Sequence, residues 1–215
     1  MQSVKDRVRF LAVVAIALIF FGAVQSVHAA TITTLYSTGV DASGNPLADG
    51  AIDSHYTVNG GSAYTIGNPG SVGWVGNTAT SSWISNVPNT DGGSGPFTYH
   101  TTFDLTGLNP NTAQITGQLS ADDQATIYLN GVDVFDGLPT GSSPWSQLES
   151  FSISSGFVAG TNTLDIDVPN NIQTPDDGPT GLQVNLSGTA SAPEPASLFL
   201  LGVGFGALSF LRRRA

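Results

Sequence analysis

Three sets of side chains in this chain have the composition and spacing for chemistry. The first is carboxylate: Asp122-Asp123, Asp165 with Asp167, and Asp176-Asp177. Such pairs beside backbone carbonyls suit Ca²⁺, a hard cation that takes six to eight oxygen ligands. Asp165 and Asp167, two apart on an extended segment, point to one side, where like charges repel unless a cation or water intervenes. Solvated acidic loops are the competing reading, since the chain carries neither an EF-hand nor a nonapeptide calcium motif. The second set is aromatic. Trp74, Trp83 and Trp145 sit in or beside Gly/Ser-rich stretches, where an exposed indole face stacks on a sugar ring and a folded-back one covers the core. The third set is uncharged and polar: Gln114, Thr116, Gln118, Gln183 and Asn185 lie on the outward phase of their strands and offer hydrogen bonds to hydroxyls.

Catalytic sets are thin by comparison. Past the N-terminal segment there are two histidines, His55 and His100, with no cysteine and no lysine. Neither G-x-S-x-G nor H-E-x-x-H occurs. The body has one glutamate, Glu149, and its many loop aspartates single out no pair at the separation glycoside hydrolysis needs. The expectation is a protein that is not an enzyme, and His100, between Thr98 and Thr102, reads as a surface residue.

The elements that must position these residues are strands. Phe97, Tyr99, Thr101, Phe103 and Leu105 alternate with Thr98, His100, Thr102 and Asp104, the pattern of a half-buried strand. Ala113–Leu119, Ala125–Leu129, Leu164–Val168 and Leu182–Leu186 repeat it. Asn130-Gly131, between Leu129 and Val132, favours a two-residue type I′ hairpin. Weaker strands are expected at 31–37, 51–58 and 150–154. Clusters of Gly, Pro and Asn at 59–73, 86–96, 136–144 and 169–181 break pairing and form loops. No helical period and no fixed repeat appears in the body. The expected fold is all-β, an antiparallel β-sandwich of the jelly-roll kind, flanked by an N-terminal signal helix and a C-terminal transmembrane helix.

Charge is divided between the body and its ends. All six basic residues lie at the termini: Lys5, Arg7 and Arg9, then Arg212, Arg213 and Arg214. Every acid except Asp6 and Glu194 lies in the body, from Asp41 to Asp177. A body without Lys or Arg cannot release counterions from phosphates, which excludes nucleic acid and anionic lipid as ligands. It contains no cysteine either, so packing alone, or packing with a metal, must hold it.

The ends read as addresses. A basic start, the apolar run 10–24 and the exit Val27-His28-Ala29 form a secretory signal peptide over 1–29, with cleavage after Ala29 or at the neighbouring Ala30. A retained membrane anchor is the alternative. The expected partner is Sec-type export machinery. Residues 30–187 are the β-sandwich cargo domain and 188–192 a linker. At the other end Pro193-Glu194-Pro195 precedes the apolar run 196–211 and three arginines. As a helix that run would be roughly 24 Å long against a hydrocarbon core of about 30 Å, long enough if Arg212, Arg213 and Arg214 snorkel. Pro193 and Pro195 disfavour helix and favour an extended segment.

This tail, 193–215, closely resembles the PEP-CTERM sorting signal, a tail family also catalogued as the ice-binding protein C-terminal domain. The resemblance implies an exosortase-like membrane protease as partner, a cut near Pro193-Glu194-Pro195, and an inner-membrane-tethered precursor that ends at the cell surface or in the extracellular matrix of a Gram-negative-type bacterium. Within the body, the runs 97–105, 121–131 and 157–166 are similar to galactose-binding-like jelly rolls, with their aromatic strand, their acidic turn before a strand ending in Asn-Gly and their later G-x-N-x-L strand. That family includes sugar-binding modules and accessory domains of glycosidases, and often carries a structural calcium.

Together these readings give an exported, non-catalytic surface or matrix protein that binds exopolysaccharide through its β domain, with Trp74, Trp83, Trp145, Gln114 and Gln183 as ligand residues and Asp122, Asp123, Asp165 and Asp167 as metal residues. A structural or adhesive matrix protein without a specific glycan is the alternative, and a glycoside-active enzyme the third reading.

Overall fold

A computed structural model describes residues 29–138, 143–170 and 178–192. The alternation seen in the sequence becomes antiparallel pairing. In chain order the strands are β1 (Ala29–Thr31), β2 (Ile52–Val58), β3 (Gly61–Thr65), β4 (Ile84–Ser85), β5 (Phe97–Asp104), β6 (Gln114–Asp122), β7 (Ala125–Leu129), β8 (Val132–Leu138), β9 (Glu149–Ile153), β10 (Thr161–Val168) and β11 (Gly181–Ser191). Short 3-10 turns occur at Pro69–Val72, Pro110–Thr112 and Pro144–Ser146, each opened by a proline whose missing N–H needs no partner there.

These strands do not divide into the two separate sheets of the expected sandwich. They form one continuous ladder, β8-β7-β10-β5-β2-β3-β4-β11-β6-β9, with β1 added to β11. The sheet curls into a nearly closed, barrel-like wall whose two ends are β8 and β9. Phe135 and Phe151 approach there, with ring centroids 6.1 Å apart. The continuity depends on the short strands. β4 is two residues long, yet it pairs with β3 through Thr65↔Ile84 and with β11 through Leu182↔Ile84. A register shift interrupts the pairing of β2 with β3 between Asp53 and Thr57, as a bulge does, and beyond it Thr57 and Val58 pair with β3 on one edge and β5 on the other.

Inward residues fill the space. Tyr99, Phe103, Ile127, Leu129, Leu164 and Ile166 from β5, β7 and β10 meet Ile115, Leu119, Leu182 and Val184 from β6 and β11, all buried. Asn130 and Gly131 have φ of 52° and 76°, the two positive values a type I′ turn demands. Asn59 and Gly60 repeat this with 48° and 77° and join β2 to β3. The stretch 59–73, expected as loop, therefore contains β3.

One boundary also moves. Residues 188–191, expected as linker, are the last rungs of β11, with Thr189 opposite Gln114 of β6. Their backbone is taken up by β1, where Ala29, Ala30 and Thr31 pair with Ser191, Ala190 and Thr189. The segment after β1 stays beside β11 through Ile32 N–H to Gly188 O (2.9 Å) and Thr38 N–H to Val184 O (3.0 Å). Among the described residues no helix is long and apolar enough to cross a membrane. The expected signal and transmembrane helices, Pro193, Glu194, Pro195, Arg212, Arg213, Arg214 and the Asp176-Asp177 pair lie outside the described residues.

Candidate functional site

The outer surface of β9, β6 and β11 is the part of the wall where the polar outward set converges. Register puts Ser150, Gln118 and Asn185 side by side across the three strands, then Ser152, Thr116 and Ser187 one rung on. Gln114 and Thr189 follow on β6 and β11. Every one of these side chains is uncharged. Rungs on one face repeat every two residues, about 6.8 Å along an antiparallel strand. Between the pairs Gln118–Asn185 and Thr116–Ser187 runs a shallow groove of about 210 Å³, lined by Thr116, Gly117, Gln118, Asn185, Leu186 and Ser187. Gly117 is required at its floor. A Cβ there would lie 2.7 Å from both Asn185 O and the Phe151 ring, so the aromatic side chain occupies the space beneath the strand. Asn185 is oriented by Ser37, whose Oγ donates to its Oδ1 at 3.3 Å.

The other half of this surface is covered. The segment between β3 and β4 folds over it, and Ile66, Trp74 and Trp83 form a second apolar cluster with Val72, Val75 and Trp145 packed against it. Trp74 and Trp83 stack on each other, with centroids 4.2 Å apart. Gly181 makes this possible, since a Cβ there would lie 2.8 Å from Trp74. Both indole N–H groups are satisfied, Trp74 Nε1 by Asp122 Oδ2 at 2.8 Å and Trp83 Nε1 by Val75 O at 2.7 Å.

The expected ligand residues therefore separate. Trp74 and Trp83 are 4% and 0% exposed and cannot offer a face to a sugar: apolar burial and satisfied N–H groups hold them as the cover of the sheet. Gln183 is also fully buried, its Nε2 donating to Ser81 O at 3.1 Å and Ser81 Oγ at 3.2 Å, so it braces the cover instead of facing solvent. Trp145 is half-buried and Gln114 exposed. The turn Pro144–Ser146 lies against β6 beyond the groove, where Ser120, one rung past Gln118, donates to Pro144 O at 3.0 Å, and the Trp145 side chain packs against the Trp74–Trp83 cluster. The side chains the sequence did not bring forward are Ser150, Ser152, Ser187 and Thr189. The alternation of Glu149, Phe151 and Ile153 with the two serines carried the signal for β9, while the small residues of 187–191 resemble a spacer.

Among the described residues Asp122 and Asp123 lie together, apart from Asp165 and Asp167 on β10. Asp122 is buried beneath Trp74. Loss of water pushes its pKa up to about 7, Trp74's hydrogen bond opposes this, and neighbouring Asp123 adds to it. Asp165 and Asp167 lie on β10, on the other side of the wall, each with its own partner: His100 Nδ1 is 2.6 Å from Asp165 Oδ1, and Thr98 Oγ1 donates to Asp167 Oδ1 at 2.6 Å. His100 is thus a surface residue with a cross-strand ion-pair partner when protonated. Among the described residues no three His, Cys, Asp or Glu side chains come together to hold a metal ion. The four aspartates named as calcium ligands supply no assembled site there.

Comparison with known proteins adds the following. No curated protein is significantly similar to the chain. Among solved structures, a family 35 carbohydrate binding module from Clostridium thermocellum is similar at 12% identity and a TM-score of 0.38, over 64% of this chain and 95% of that one. A family 35 carbohydrate binding module from an environmental isolate is similar at 17% identity and a TM-score of 0.30, over 47% and 74%. A β-glucosidase from Kluyveromyces marxianus is similar at 11% identity and a TM-score of 0.28, over 42% of this chain and 12% of that one. Residues 191–215 match the PEP-CTERM protein-sorting motif; the C-terminus thus carries the signal of an exported protein that an exosortase processes for the cell surface.

Proposed function

We propose that the protein is a non-catalytic surface or matrix component that holds a neutral exopolysaccharide along the groove between β6 and β11. The observation that carries this reading is the uncharged outer surface of β9, β6 and β11, where amides and hydroxyls repeat rung by rung on a body otherwise rich in carboxylate. Amide and hydroxyl groups both donate and accept, which matches sugar hydroxyls and gives no advantage to a charged ligand. To half-buried Trp145, beyond the end of the groove, we assign the apolar contact.

The chemistry also sets the strength. An exposed hydrogen bond contributes about 1 kcal/mol net. Four of them, from Gln118, Asn185, Thr116 and Ser187, give on the order of 4 kcal/mol, a dissociation constant near 1 mM. Weak single sites hold a polymer well when many copies engage it at once, as at a cell surface. The test is affinity electrophoresis of the mature protein through gels containing neutral or anionic exopolysaccharide. Retardation by the neutral polymer, lost in Gln118→Ala/Asn185→Ala, supports the reading. Self-association without retardation would favour the purely structural alternative.

A further inference from the structure

The sorting motif begins at Ser191, which is also the last residue of β11. One residue, Ala192, separates it from Pro193. Ser191 is far from a loose end. It is 7% exposed, its N–H donates to Thr112 Oγ1 at 2.9 Å, its carbonyl accepts from Asn109 N–H at 2.7 Å, and its Oγ is 2.7 Å from Thr112 Oγ1. Along one edge the rungs 189–191 pair with Thr31, Ala30 and Ala29, and along the other Thr189 faces Gln114.

A protease takes its substrate as extended backbone whose polar groups are free to pair with the enzyme, as in strand addition. The two residues from Ser191 to Pro193 reach about 7 Å at most. A single helix is about 10 Å across, so an active site walled by membrane helices cannot reach Pro193-Glu194-Pro195 while 189–191 remain in the sheet. Backing the whole body onto the enzyme does not remove the obstacle, because the backbone next to the motif is held on both edges, Thr189 and Ala190 by β1 and Ser191 by Asn109 and Thr112.

We infer that release of β1 from the end of β11 precedes loss of the tail and sets its rate. This rests on the tail being a processed signal. β1 is suited to act as such a latch: of its three residues Ala30 and Thr31 remain after cleavage following Ala29, Thr31 is exposed, and it lies at the start of the exported body, where local opening takes little free energy. The reaction that follows breaks one peptide bond and passes its acyl carbon to water or an amine; the opening concerns only what comes before.

The test uses the full chain in an exporting host, with the conversion of precursor followed by intact mass. Thr31 and Thr189 face each other, both exposed. Because Ile32 N–H bonds Gly188 O one rung away, they form a non-hydrogen-bonded pair with Cα atoms about 4.5 Å apart, inside disulfide range. The body has no other cysteine. In Thr31→Cys/Thr189→Cys the oxidised form is expected to lose its tail at least tenfold more slowly, with the rate restored by reductant or by a six-residue Gly/Ser spacer after Ala192. Thr112→Val, which removes the hydroxyl holding Ser191, is expected to speed conversion. Tail loss from the cross-linked chain at the wild-type rate, without a spacer, overturns the inference. If the double variant fails to accumulate, the spacer alone decides: acceleration supports the latch and an unchanged rate overturns it. A wild-type chain that never loses its tail would overturn the sorting reading and the latch together, whereas indifference to the cross-link overturns the latch alone.

Discussion

Asn162 of β10 and Asn130 of the β7–β8 turn are joined by a 2.9 Å hydrogen bond, from Asn130 Nδ2 to Asn162 Oδ1, although they lie 32 residues apart. Asn162 is fully buried. Its Oδ1 also accepts from Val158 N–H at 2.8 Å, and its Nδ2 donates to Val158 O at 2.8 Å and Gly160 O at 2.9 Å. The G-x-N-x-L motif and the Asn-Gly turn are thus two halves of one structural joint. Truncation leaves several buried partners unsatisfied, at about 1–3 kcal/mol each. Asn162→Ala is expected to lower unfolding free energy by on the order of 3 kcal/mol in urea titrations, with Asn162→Asp also destabilising because it loses both donors.

Asp122 gives the body a pH dependence. Its carboxyl, raised from 3.8 to about 7, binds a proton more tightly in the folded than in the unfolded chain. Its stabilising contribution is therefore full below about pH 4 and is lost as pH rises through 7. At about 1.4 kcal/mol per unit, and allowing for screening at the rim of the cover, the loss is on the order of 2 kcal/mol. Asn at this position still accepts from Trp74 Nε1. Melting of Asp122→Asn between pH 4 and 8 should show a smaller decline than the wild type.

Removing a tryptophan should separate structure from binding. Trp83→Ala opens a cavity in the second apolar cluster and is expected to cost about 3–5 kcal/mol of stability. Trp145→Ala, at a half-buried position, should cost less than half of that while weakening retardation in neutral polysaccharide gels. Paired melting and electrophoresis of the two variants check this.

His100 and Asp165 offer a control on the opposite side of the wall. Both are partly exposed, and a surface pair contributes about 0–1 kcal/mol. Asp165→Asn should leave stability within 1 kcal/mol and groove binding unchanged.

Strand alternation makes much of the wall legible in the sequence. The inward set 97–105, the Asn130-Gly131 turn and the strands at 113–119, 164–168 and 182–186 follow from period-two burial, which is strong wherever one face is apolar. β3 and β4 were obscured because Gly61-Ser62-Ala63-Tyr64-Thr65 and Ile84-Ser85 are too short and small to show a period; the Asn59-Gly60 turn was the available signal for β3. β4 is fixed by its neighbours on both edges, which no local pattern reports. The end of β11 resembled a spacer because Ser187, Gly188 and Thr189 carry little apolar area, and their order comes from β1 and β6. Trp74 and Trp83 in Gly/Ser-rich context are compatible with exposure or cover, and Gly181, far along the chain, decides for cover. The polar groove was half legible: Thr116, Gln118 and Asn185 were on the outward phase, but Gln183, on the same phase, lies under the segment that folds back.

The groove itself is most directly tested by ¹⁵N-resolved NMR of the mature protein titrated with a neutral oligosaccharide from the surface polymer, a method suited to millimolar binding. The side-chain NH₂ signals of Gln118 and Asn185 and the indole signal of Trp145 should shift with saturation, while those of Trp74, Trp83 and Gln183 stay in place. Shifts confined to the covered set or to the His100–Asp165 side, or no saturable shift in the groove at any accessible concentration, would contradict glycan binding between β6 and β11.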